Sequence, residues 1–326
     1  MKRLIRIPAV ERTLLTLKTA WEFIVARLIL WLLSALKRLP PERSTDMAER
    51  LGRKLAPILP RYKLVKRNIA NAFPEWSASK VETTTRAAMG SVARTFAEYV
   101  FLDDLFDFDP EKPGEGRVEV VGVDNFLALR ERKGPVIIFT GHTGNWEILP
   151  VAASTYGLEV TALFRPPNNR FLAKRLLKAR RTDKGQLVPA RAGAAWSLLH
   201  VLEEDGTIGL LVDQAFTKGP HIQFMGNTAT ANPMAAKLAR QFDCPIHPAR
   251  CVRLPGGRFR LELHDALPRL TDDRGALDVL ATTEQINALV ESWVREHPEQ
   301  WYWVHDRWKI KGVEAAKWQR QRKASD

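Results

Sequence analysis

The sequence is poor in most of the features that name a function at sight. Only two cysteines occur in 326 residues, Cys244 and Cys251, both in or beside apolar runs. That excludes a disulfide framework, and a reducing compartment is the default expectation. There is no GxGxxG fingerprint, no P-loop, and no HExxH or cysteine-rich zinc spacing. Apart from His142, the histidines (His200, His221, His247, His264, His297 and His305) stand at no metal-ligand spacing. A GxSxG elbow is also missing, which argues against an ordinary serine hydrolase. Acidic residues are in deficit, 37 against 50 basic, for a net charge of +13. Such a surface favours anionic partners: nucleic acid, acidic lipid or an acidic protein. Long apolar runs are absent but for one, and no internal repeat or low-complexity tract is visible.

That one run is TAWEFIVARLILWLLSAL, residues 19 to 36. A spanning helix needs about 20 mostly apolar residues. This run is slightly short and carries Glu22 and Arg27. Basic residues flank both ends, so the positive-inside rule gives no clean orientation. No small-x-small site follows it convincingly, which disfavours a cleaved signal peptide. It reads as an uncleaved anchor, either a tilted span or an interfacial helix, with a buried soluble helix as the bland alternative. Tryptophans are plentiful instead: ten, with Trp21 and Trp31 in this run and Trp293, Trp301, Trp303 and Trp308 near the C-terminus.

The rest divides by pattern. Residues 1 to 40 hold the anchor, and 41 to 110 read as helices with apolar residues at helical spacing. Residues 108 to 116, FDPEKPGEG, form a turn-rich boundary. From 111 to 312 short β-rich runs alternate with amphipathic segments, which predicts an α/β domain. Its sheet is expected to be mostly parallel, with helices on both faces. Residues 313 to 326 form a basic tail.

In that α/β pattern, the string GHTGNWE follows the apolar run GPVIIFT. His142 lies in it, with four residues between it and Glu147. On one continuous helix that spacing would rotate the two side chains by about 500°, leaving them about 140° apart. The pair works better with His142 in a strand-to-helix turn and Glu147 in the first helical turn, capped by Asn145 or Thr143. A carboxylate on one ring nitrogen fixes the tautomer and frees the other nitrogen to take a proton. The bland reading is a satisfied polar histidine and a glutamate suiting the helix dipole. Three more strings fall at expected strand ends: Arg165 in FRPPNN, Asp213 and Gln214 after TIGLLV, and FMGNTATANP ahead of a helix capped near Asn232. In a parallel sheet these ends share one edge with His142. An arginine there suits a phosphate or a developing oxyanion.

Taken in order, RNIANAFPE, GHTGNWE, FRPPNN, VDQ, FMGNTAT and PEQWYWVHDRWK resemble the blocks of the lipid A biosynthesis acyltransferases. These are the lauroyl- and myristoyltransferases that act on the Kdo-bearing lipid A precursor. GHTGNWE alone resembles the H-x4-D/E signature of the wider glycerolipid acyltransferase superfamily. The resemblance runs from about Arg67 to Lys309. It implies a glycerolipid-acyltransferase-like fold at the inner (cytoplasmic) membrane, with the catalytic domain facing the cytoplasm. It implies acyl-acyl carrier protein as donor and a phosphorylated glycolipid as acceptor. His142 would be the general base and Glu147 would orient it. Arg165, Asp213, Gln214 and Arg307 would serve substrate binding. No metal or redox cofactor and no nucleic-acid partner is implied. One block departs from the pattern: residues 305 to 309 read HDRWK where the family usually has HRRFK, so Asp306 replaces a basic residue.

Two other functions are weighed beside this one. One keeps the chemistry and changes the acceptor to a lysophospholipid, aminolipid or other glycolipid. The other is a basic membrane-surface or nucleic-acid-binding protein without catalysis, although the basic residues are scattered and no nucleic-acid motif occurs.

Overall fold

The computed structural model describes residues 9–112, 114–164, 169, 171, 186–189 and 193–309. Arg165, most of the helix expected over FLAKRLLKARR, and the basic tail lie outside the described residues.

Seven strands form one sheet. They are β1 (Val118–Val121), β2 (Val136–Thr140), β3 (Val160–Phe164), β4 (Gln186–Pro189), β5 (Thr207–Leu211), β8 (Ile246–Leu254) and β9 (Arg258–Leu263), in the order β1-β9-β8-β2-β5-β3-β4. Neighbours pair in parallel except at the β8–β9 hairpin, so the sheet is mostly parallel, as the alternating pattern predicts. The central strands are apolar on both faces: Val136, Ile137 and Phe139 of β2 are buried, with Ile208 and Leu210 of β5 beside them. A strand buried on both faces needs helices on both sides. A separate hairpin, β6 (His221–Phe224) and β7 (Asn227–Thr230), turns at Met225 and Gly226 within the string FMGNTATANP. Its four-residue strands are too short for the alternation to stand out.

The helices follow their signals. α1 (Ala9–Leu36) contains the apolar run, and α2 (Pro41–Leu55) starts with proline in its first turn. α3 (Tyr62–Ala72) stops just before the Phe-Pro pair. In α4 (Ala78–Glu98), Ser77 caps the start by accepting from Lys80 N–H at 3.2 Å. A short α5 (Leu102–Leu105) follows. The α/β region adds α6 (Val123–Glu131), α7 (Ile148–Thr155), α8 (Ala194–Glu203), α9 (Met234–Phe242) and α10 (Val279–Glu296). α10 starts earlier than its apolar spacing suggests, because the Asp278 carboxylate accepts from Leu280 and Ala281 N–H.

The helical region is not packed apart from the sheet. Val65, Ile69 and Phe73 share one apolar cluster with Ile137, Phe139, Trp293 and Trp301. The α2–α4 face adds a charge cluster. Glu98, 1% exposed, accepts from Arg94 Nε at 2.9 Å, Arg253 Nη2 at 2.7 Å and Asn145 Nδ2 at 3.0 Å. Arg94 also donates to Asp46 and Glu49 on α2. This network joins α2, α4, β8 and the turn after β2.

α1 stands out from this body. Leu17–Leu36 is long and apolar enough to cross a membrane, and little of it is buried in the protein. Trp21, Ile24, Leu28 and Trp31 are all more than half exposed. That is the opposite of a soluble core helix and suggests membrane anchoring.

Removing one partner of a buried ion pair leaves an uncompensated charge, typically at about 3–5 kcal/mol. Glu98→Ala removes the carboxylate paired with Arg253 and one of the three paired with Arg94, and is expected to lose stability toward the lower end of that range. Denaturant unfolding of the detergent-solubilised protein measures it; a loss below about 1 kcal/mol would count against the network's importance.

Candidate active site

Strand register brings the first two side chains together. β2 and β5 pair in parallel with Thr140 opposite Leu211, and Val212 N–H still donates to the Thr140 carbonyl. Two residues further along each strand, at the same sheet edge, stand His142 and Asp213. The ring Nδ1 of His142 lies 2.6 Å from Asp213 Oδ1, and the His142 backbone N–H donates to Oδ2 at 2.9 Å. A third donor, Trp301 Nε1, reaches Oδ2 at 2.7 Å. Asp213 is fully buried. Burial opposes its ionisation, but attraction to His142, the bonds from His142 and the charge of His305 hold it well below the usual carboxylate range. An ionised Asp213 keeps the proton on Nδ1 and leaves Nε2 as the free, basic nitrogen.

The turn carrying His142 has a narrow conformational allowance. Gly144 has φ +57°, and a Cβ there would lie 2.2 Å from the Cys251 carbonyl oxygen on β8. Only glycine satisfies both the backbone angle and that approach. Asn145, fully buried, donates to Glu98 and accepts from Glu147 N–H at 3.2 Å. The segment 300–302 clamps the turn from the other side: Gly144 N–H donates to the Gln300 carbonyl and Tyr302 N–H to the His142 carbonyl. The His142 ring sits between aromatic neighbours, Trp146 at 4.9 Å and Tyr302 at 5.8 Å between centroids.

Glu147 has another position from the one expected of it. The carboxylate bonded to His142 is Asp213, while Glu147 accepts from Trp146 Nε1 at 3.1 Å and Tyr99 Oη at 3.3 Å. The expectation that Glu147 orients the ring is therefore corrected. With residues 141–147 held in a turn rather than a helix, α7 begins only at Ile148, three residues later than expected. Burial pushes the Glu147 carboxyl up to about 7, against the pull of His142 and the bond from Trp146.

Of the other expected site residues, Gln214 is at the site. Its Nε2 lies 3.4 Å from His142 Nε2. Arg165 lies outside the described residues. Arg307 stands behind the site, within electrostatic reach of Asp213 but not lining the cavity: it is fully buried, with Nη1 donating to the Thr230 carbonyl and Nη2 to Asn287 Oδ1 at 2.9 Å. Its guanidinium lies 4.9 Å over the Phe224 ring. Both bonds tie the C-terminal segment to β7 and α10. Asp306 pairs with Arg67 at the surface at 2.8 Å. Trp301, Trp146, Tyr302 and Asn145 are the participants that sequence reasoning missed. The crowding of tryptophans in EQWYWVHDRWK was the available signal, and it did not say which ring reaches a carboxylate.

His142, Glu147 and Gln214 open into a cavity of about 1200 Å³. Its walls are largely apolar: Ile29, Leu30 and Leu33 of α1 line it together with Phe96, Tyr156 and Leu163. An imidazole in the lining of a large apolar cleft suits a reacting group carried on a long hydrocarbon chain. Among the described residues no group of three or more His, Cys, Asp or Glu is placed to hold a metal.

Replacing Asp213 by Asn keeps the shape and disturbs the tautomer; activity is expected to fall about 10²–10⁴-fold with little change in KM. Trp301→Phe removes one bond to the carboxylate and is expected to cost about tenfold. Steady-state kinetics of the two variants checks both, and a silent Asp213→Asn would refute the pairing. Glu147 predicts a pH effect of defined sign. Its folded carboxyl titrates near 7 and an unfolded glutamate near 4.5, so stability falls as pH rises between those values. Glu147→Gln removes that slope. Its melting temperature relative to the unsubstituted protein should rise from pH 5 to pH 8, by up to about 3 kcal/mol in stability.

A family model matches residues 9–310, and its description is bacterial lipid A biosynthesis acyltransferase. No curated protein gave a significant match. The match takes in α1, the helical region and the whole described α/β region, and the chain belongs to the bacterial lipid A biosynthesis acyltransferase family.

Proposed function

We propose that this acyltransferase moves a fatty acyl chain from acyl-acyl carrier protein to a hydroxyl of a Kdo-bearing lipid A precursor, with His142 as general base. The observation that carries the reading is the His142–Asp213 pair, Nε2 outward, at the head of the apolar cavity. Nε2 takes the proton of the acceptor hydroxyl as its oxygen attacks the thioester carbonyl. The tetrahedral intermediate then collapses, the C–S bond breaks, and the proton returns to the departing thiolate. Asp213 keeps the ring oriented and stabilises the imidazolium that forms. Glu147, which also lines the cavity, adds attraction to that charge. The Gln214 amide, beside Nε2, is a donor in reach of the developing oxyanion.

The cleft supports a lipid acceptor or donor chain on simple grounds. Each methylene moved out of water into such walls contributes about 0.8 kcal/mol. Because α1 supplies part of the wall, a chain can pass between bilayer and active site without crossing bulk water. The resemblance in blocks supports the inner membrane, the cytoplasmic orientation and the acidic carrier protein as donor, a fitting partner for a chain of net charge +13.

The test combines an assay on acyl-acyl carrier protein and the Kdo-bearing precursor with mass spectrometry of lipids from a strain lacking the gene. His142→Ala is expected to lose at least about 10²-fold in turnover. Normal turnover by that variant would sink the mechanism. Unchanged lipid A with altered phospholipids or aminolipids would move the assignment to another lipid acceptor.

A further inference from the structure

α2 turns an unpartnered face outward. Met47, Leu51 and Leu55, with Ile58 in the short helical turn that follows, are 37–78% exposed. On the α2 helix Met47, Leu51 and Leu55 recur every four residues, so they form one stripe. Arg43, Arg50 and Lys54 lie beside that stripe, all exposed. None of these three has a carboxylate partner among the described residues.

The acidic residues of the same helix are engaged elsewhere. Glu42 pairs with Arg117 at 2.7 Å, while Asp46 and Glu49 pair with Arg94 at 2.6 and 2.9 Å. The pairing neutralises the carboxylates and leaves the outward face purely basic and apolar. An apolar stripe bordered by Lys and Arg on one helix is the pattern of a helix lying in a membrane interface. The long basic side chains reach headgroups while the stripe enters the acyl boundary.

The surrounding chain points the same way. α2 follows α1 after a short turn whose Leu39 is also exposed, and Ser44 Oγ donates to the Leu36 carbonyl at 2.7 Å, fastening the two helices together. The exposed apolar surface thus continues along the chain from α1 into α2.

We propose that the Met47–Leu51–Leu55–Ile58 face of α2 lies in the interface of an anionic membrane, as a second contact independent of α1. Its depth is on the order of 5–10 Å below the headgroup boundary. Because α2 is locked to α4 through Arg94, this contact fixes how the body sits on the bilayer, and with it where the cavity mouth opens. The assignment does not depend on the acyl-transfer reading, since its readout is depth and not turnover.

The full-length protein allows a direct test, because Cys244 and Cys251 are both buried. Leu51→Cys, Ile58→Cys and, as a control on the loop before α10, Asp273→Cys each carry an environment-sensitive fluorophore. The proteins are reconstituted into vesicles of phosphatidylcholine, or of phosphatidylcholine with phosphatidylglycerol, containing lipids spin-labelled near the headgroup. The probes at 51 and 58 should shift to the blue and be quenched at least about twofold more than the probe at 273, most strongly with the anionic lipid. Adding Arg43→Glu, Arg50→Glu and Lys54→Glu should weaken that quenching. Equal quenching at all three positions would overturn the proposal. Probe–probe self-quenching without lipid quenching would also overturn it, assigning the face to a second copy of the chain.

Discussion

The buried Asp213 carboxylate is the interaction on which the site's geometry rests. It receives the His142 ring, the His142 backbone N–H and the Trp301 indole, and so ties together the ends of β2 and β5 and the C-terminal segment. A carboxylate with no exposure is costly unless its oxygens are fully engaged. Here each oxygen has at least one donor, and one of those donors is the His142 ring. The bond that makes Asp213 tolerable in the core is thus the bond that orients the His142 ring.

A second buried carboxylate, Glu98, does for the turn what Asp213 does for the ring. It holds Asn145 on one side and Arg94 and Arg253 on the other. Through Arg94 it reaches the acidic residues of α2. The turn that carries His142, the helical region and α2 are therefore one mechanical unit. Displacing α2 from its place on α4 would strain the same network that positions Asn145, two residues before Glu147.

Buried ion pairs are poor contributors to net stability when compared with apolar packing. Their value here is geometric. The cavity needs a wall of small and apolar side chains, which offers few directional contacts, so orientation of the reactive group falls to the polar network behind it. The same division explains Arg307: it lies in the block expected to meet the acceptor, yet its two terminal nitrogens fasten the C-terminal segment that carries Trp301 and Tyr302.

Much of this was legible in the chain itself. The period of apolar residues located the strands and most helices, and parallel order followed from strands separated by helices, because a parallel crossover needs that length. The residues of the site were also visible: His142, Asp213 and Gln214 each end a strand pattern, and parallel strands present such ends on one edge. What the order of residues could not decide was which carboxylate His142 would hold. Glu147 is near in sequence and Asp213 is 71 residues away, but the register of β2 with β5 sets Asp213 opposite the ring and turns Glu147 toward Trp146 and Tyr99. Nor could it show that Arg307 is spent on the core, or that α2 presents a basic and apolar face outward. Local pattern records which side of an element is apolar. Which partner meets that side, and which donor finds which acceptor, is decided only when distant segments close on one another.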